Sequence, residues 1–290
     1  MNRFLFFVVV IAAALGIYFY LNPAEYTRAK IWLGIESPSS VVTSTEPSAN
    51  PTGLLSKKIT IATEGAYPPF NYTDQNGQLV GFEVDLAKAL CQKMNVECVM
   101  VGQDWDGLIP ALQSGKFDAI MAGMSITPER KQQVDFSNKY INTPTRFVAK
   151  KGSDFTITAA GLAGKRVGAQ RATIHEGFLR RLFPQATIVL YDTLENAHLD
   201  MVGGRLDLIL ADSVALNEGF LKTAAGQNYE FVGPSYTEPK DILGEGVGIA
   251  VRKGDTSLLN AFNQAITQVR ADGTFKKIND RYFDFDVYGN

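Results

Sequence analysis

Arg130, which closes the run DAIMAGMSITPER over 118–130, is the residue best placed to do chemistry in this chain. The run reads as a buried strand over 118–122, a small-residue exit at Gly123 and Ser125, and a helix start at Thr127-Pro128-Glu129. Thr is a favoured N-cap, and Pro fits the first helical turn. A cation in that turn opposes the helix dipole. An added anion removes the conflict, because free N–H groups, the dipole and a guanidinium fork then act together. The competing reading is a solvated Arg, or one paired with Glu129 or Asp135.

Other strand ends supply the complementary groups. GKFDAIMAG (115–123) is echoed by GRLDLILAD (204–212), so that Asp212 stands where the first copy has Gly123. Glu64 follows the strand over 58–63 and leads into GAYPPF, whose Tyr67 and paired prolines make a stiff aromatic wall. Trp105 follows the next strand, and Thr173 starts a helix in AQRATIHEGF. Arg130 and two helix starts suit a carboxylate; Asp212 suits an ammonium beside it. Glu64, between Tyr67 and Trp105, suits a second cation, with cation–π contact adding roughly 1–2 kcal/mol when desolvated. The implied ligand is an α-amino acid with a cationic side chain.

The elements that must hold these groups alternate. Strands are expected over 58–63, 97–101, 118–122, 166–169, 186–191 and 206–211. Helices are expected over 82–94, 105–113, 174–183 and 194–202, with two more over 257–270 and 275–282. Such alternation predicts an α/β chain with parallel-rich sheets covered by helices. Extended stretches over 146–150 and 246–251 flank the second series and predict two lobes joined by a two-strand hinge. Ligands on parallel sheets sit at the carboxyl ends of strands, which is where the candidate groups fall.

The 290-residue chain has a net charge of −2 and no long basic run, which argues against a nucleic-acid partner. Residues 1–22 carry an apolar run, Phe4 to Leu21, behind Arg3. This run is long enough to span a bilayer and is read as an uncleaved inner-membrane anchor, with a cleaved signal peptide as the alternative. Either way the remainder is exported. Residues 23–56 read as a flexible tether rich in Ser, Thr, Pro and Asn, with 24–35 open to a short interfacial helix. In an exported chain, Cys91 and Cys98 read as a structural disulfide. The two histidines, His175 and His198, make no metal-ligand cluster with them, and no cofactor or catalytic residue is expected.

Several segments resemble the periplasmic amino-acid-binding proteins of ABC importers: ATEGAYPPFNY, LVGFEVDLAKALC, WDGLIPALQSGKFDAIMAGMSITPERKQQVDFS and ADGTFKKINDRYF. The resemblance runs from about Lys57 onward and is nearest the lysine/arginine/ornithine- and histidine-binding branch, with opine-binding proteins close by. It implies a clamshell with lobe 1 over 57–143 and 246–290 and lobe 2 over 144–245. It also implies a permease partner in the inner membrane and a periplasmic location. By residue, Arg130 matches the α-carboxylate clamp, helped by Ser125 and Thr173, and Asp212 matches the α-ammonium acceptor. Glu64 matches the side-chain reader, Tyr67 the stacking tyrosine and Trp105 a variable wall; the cysteine pair matches a disulfide of this branch. Where relatives carry two serines this chain has Ala122-Gly123, so the ammonium leans on the carbonyl of Gly123. A Leu-Gln-Gly run is here Gln170-Arg171-Ala172, which brings a polar and a basic group near the cleft. The expected ligand is arginine, then ornithine or lysine, then an opine. A cyclohexadienyl-dehydratase-like enzyme, with Glu64 as general acid, and a sensory ectodomain are the rivals on this fold.

Overall fold

The computed structural model describes residues 58–289. The expected anchor and tether, residues 1–56, lie outside the described residues.

The first sheet is built on Lys58–Thr63, whose inward residues Ile59 and Ile61 are buried. It pairs in parallel with Glu97–Gly102 on one side and Ala119–Ile120 on the other. Helices Phe82–Met94 and Leu108–Gln113 make the crossovers. Ala250–Arg252 then adds antiparallel to Ala119–Ile120, and Val134–Phe136 antiparallel to it in turn. A strand from late in the chain is therefore threaded into the middle of a sheet built from its beginning. The second sheet runs in the order Thr187–Tyr191, Arg166–Gln170, Leu208–Asp212, Thr145–Lys150, Tyr229–Tyr236. Its first three strands are parallel and the last two antiparallel. Both sheets are thus mixed around parallel cores.

Several expected boundaries shift. The third expected strand shrinks to Ala119–Ile120, and the helix expected from Trp105 begins as a single 3₁₀ turn, Trp105–Gly107. Of the two expected hinge strands, Thr145–Lys150 sits inside the second sheet and Ala250–Arg252 inside the first. The crossings themselves, 137–144 and 237–249, meet at one antiparallel bridge, Ile141↔Val247. A small sheet of Ala66–Tyr67, Asn71–Thr73 and Leu79–Val80 shapes the loop after the first strand. Cys91 in helix Phe82–Met94 is disulfide-bonded to Cys98 in the next strand, stapling that corner as expected.

Candidate functional site

Arg130 sits in a one-turn helix, Pro128–Lys131, capped by the Thr127 hydroxyl, which accepts from the Arg130 backbone N–H at 3.2 Å. The cap removes part of the anion-binding capacity expected of that helix start. The side chain retains the rest. The guanidinium is buried, donates from Nη1 to the Ser125 carbonyl at 3.1 Å, and lies 5.2 Å from the centre of the Trp105 ring. Among the described residues it has no salt-bridge partner, and Asp135, one possible mate, is held by Lys253 at 2.8 Å. Burial lowers its pKa to about 10, so it stays charged at neutral pH. A buried guanidinium with spare donors and no anion is an unmet electrostatic demand.

Across the cleft, Asp212 ends the strand Leu208–Asp212 and is buried. Its oxygens accept from Tyr67 Oη and from Thr143 Oγ1, each at 2.7 Å. His175 Nε2 stands 3.8 Å away, too far for a hydrogen bond, and its interaction is electrostatic. Burial pushes the Asp212 carboxyl up, but His175 and the Thr143 and Tyr67 hydroxyls outweigh it and hold the group below its usual range. The Tyr67 phenol, raised by burial and by Asp212, remains a donor.

Glu64 follows the first strand, and its Oε1 accepts from Gln170 Nε2 at 2.6 Å; the same amide donates to the Asp192 carbonyl at 2.9 Å. Burial drives the Glu64 carboxyl up to about 7, with Gln170 opposing and Glu83 and Asp104 adding to the rise. Thr173 caps helix Ile174–Leu182, accepting from Glu176 N at 3.3 Å and donating to the Gln170 carbonyl at 2.7 Å. Trp105 Nε1 donates to the Ala172 carbonyl at 3.1 Å.

All eight expected residues, Glu64, Tyr67, Trp105, Gly123, Ser125, Arg130, Thr173 and Asp212, line one cavity. Between them stand Ala122, Gln170, Ile174, His175, Leu194 and Ala211. Of the two new groups expected near the cleft, Gln170 lines the cavity, whereas Arg171 turns away and pairs with Asp192 at 2.5 Å. Sequence reasoning passed over His175 as a cavity residue, Thr143 as a partner of Asp212, and Glu83. Glu83 looks like an ordinary first-turn acid, yet it is fully buried and accepts from Asn71 Nδ2 at 2.6 Å, Gly123 N at 2.7 Å and the Tyr140 hydroxyl. No local pattern marks a long-range acceptor of this kind.

The arrangement sets one cation against two carboxylates around a single cavity, the charge pattern of a zwitterion receptor. Residues 59–285 match the family of bacterial extracellular solute-binding proteins, family 3. The chain belongs to this family. A periplasmic location follows from that membership. This solute-binding protein is 50% identical over 242 residues to the L-arginine-binding protein of Pseudomonas aeruginosa, covering 83% of this chain and 93% of that one. Among solved structures, it matches a Salmonella typhimurium periplasmic binding protein of high arginine specificity. The TM-score is 0.73 at 35% identity, over 79% of this chain and all of the other. It also matches an ancestral amino-acid-binding protein described as a precursor of cyclohexadienyl dehydratase, with a TM-score of 0.69 at 34% identity over 79% and 96% of the two chains. No helix among the described residues is long and apolar enough to cross a membrane.

Proposed function

We propose that this solute-binding protein captures a cationic L-amino acid, arginine before ornithine or lysine, and delivers it to an ABC permease in the inner membrane. One observation carries the reading: Arg130 is buried, charged and, among the described residues, without a salt-bridged carboxylate in the cavity that also holds Asp212 and Glu64. Arg130, with Ser125 and Thr173, takes the α-carboxylate. Asp212 and the Gly123 carbonyl take the α-ammonium. Glu64 takes the side-chain cation between Tyr67 and Trp105. The arginine named for the curated relative and the solved neighbour supports this choice. The lobes are drawn at 57–143 with 246–290, and at 144–245, closing about the crossings that meet at Ile141 and Val247. Residues 1–22 act as the inner-membrane anchor, holding the binder near its permease at high effective concentration.

A second reading, an opine, draws on His175. Among the described residues its buried Nε2 has no hydrogen-bond partner, and it could donate to the extra carboxylate of an N-substituted amino acid. An enzyme on this scaffold would use Glu64, whose raised carboxyl suits a general acid, but the Gln170 amide and the aromatic walls suit a cation acceptor better. A thermal-shift screen of amino acids and opines separates these readings. Arginine should give the largest rise; an opine alone giving one would select the second reading, and turnover of a cyclohexadienyl substrate in a separate activity assay would select the third.

A further inference from the structure

Glu83 is a fully buried carboxylate, and among the described residues no cation forms a salt bridge with it. Burying a carboxylate without a cation is costly, and an apolar side chain would fill the same volume at lower cost. What Glu83 gains instead is three donors, and each leads to a different part of the binding machinery. Asn71 donates to Oε2 at 2.6 Å, and its own Oδ1 accepts the Gly65 N–H at 2.8 Å, one residue after Glu64. Gly123, a cavity residue, donates its N–H to Oε1 at 2.7 Å. It holds φ at +64, a left-handed conformation that glycine adopts at little steric cost. Tyr140 donates its hydroxyl to the same oxygen from the crossing between the lobes.

That crossing is tied at both ends. The Tyr140 N–H donates to the Val247 carbonyl at 2.9 Å, and the next residue forms the bridge Ile141↔Val247. Three residues later, Thr143 donates its hydroxyl to Asp212 at 2.7 Å. One short stretch of chain therefore connects a buried carboxylate on the first-sheet side to the candidate ammonium acceptor on the other.

We propose that Glu83 is a positioning residue for ligand capture: through Asn71 and Gly123 it sets two segments that flank the cavity, and through Tyr140 it links them to the crossing on which the lobes close. The inference rests on the binding reading above. Glu83 touches no ligand in this scheme; its effect passes through the backbone at Gly65 and Gly123.

The test uses the full chain with Glu83→Gln, Tyr140→Phe and the double variant. Glutamine keeps the volume but turns one acceptor oxygen into a donor, so one of the three bonds is lost. Arginine is titrated by calorimetry, and arginine-induced compaction is followed by small-angle scattering. Both single variants should keep the parental far-UV circular dichroism and bind arginine about tenfold or more weakly. Both should also show reduced compaction. The double variant should lose no more than the worse single one, as expected for members of one network. Parental affinity and compaction in both variants, with only a lower melting temperature, would mean that the network serves stability alone and would overturn the proposal. If Glu83→Gln does not fold, Tyr140→Phe decides by the same two measurements. A parent that ignores arginine defeats the ligand assignment instead, and the variants are then scored on the amino acid that most raises the parent's melting temperature.

Discussion

At the scale of single residues, the site pairs charges whose states differ for identifiable reasons. Asp212 is held ionised by hydroxyl donors and His175, whereas Glu64 is raised to about 7 because burial dominates a single amide donor. The free protein therefore binds a proton at Glu64 below about pH 7, and a cationic ligand must displace it. Since this pKa lies above the usual carboxylate value of 4.5, the group's own contribution to stability is present at acid pH and is lost as pH rises through 7. Ligand stabilisation has the opposite sign, and the rise in melting temperature with arginine should be larger at pH 8 than at pH 6. Glu64→Gln should flatten that pH dependence and weaken arginine far more than a neutral amino acid, which calorimetry at both pH values checks. The groups at strand ends were legible because their types departed from their settings, as with a cation in a helix's first turn. Thr143, His175 and Glu83 were not, because what distinguishes them is a partner 69, 37 or 57 positions away.

At the scale of elements, helices Phe82–Met94 and Leu194–Val202 and strand Lys58–Thr63 fall where their hydrophobic periods put them. The two- and three-residue strands of the small sheet do not, since a period of two cannot be read over so few residues. Nor was the unbroken passage from Ser213–Leu216 into a π-helical turn over Asn217–Leu221 visible in any apolar repeat. The disulfide closes a corner of separation 7 away from the cavity. Replacing both cysteines with serine should cost about 2–3 kcal/mol of stability, read as a lower denaturant midpoint, with arginine affinity unchanged. Ala172 holds φ at +56 just before the helix start at Thr173, a conformation that costs an alanine roughly 1–2 kcal/mol. Ala172→Gly should raise stability by about 0.5–1 kcal/mol after the entropy of the added glycine is offset, measurable by the same denaturation.

At the scale of the molecule, groups from two sheets converge on one cavity, and the chain passes between those sheets twice. A ligand that touches both sides favours the closed form by its difference in affinity for the two states. The topology that allows this, with Ala250–Arg252 inserted between Ala119–Ile120 and Val134–Phe136, was foreshadowed by the extended stretch over 246–251 and by the resemblance, which placed 246–290 in the first lobe. Which strands it would join was not legible, because register depends on partners more than 100 positions apart. The central claim is that the buried guanidinium of Arg130, which has no salt-bridge partner among the described residues, grips the ligand's carboxylate. Removing one member of such a buried pair should cost about 3–5 kcal/mol, a loss of roughly two to four orders of magnitude in affinity. The most direct measurement is a calorimetric titration of L-arginine into the parent chain and into Arg130→Ala. A single stoichiometric site in the parent and no measurable heat in the variant is the predicted result; equal binding by the two proteins would contradict it.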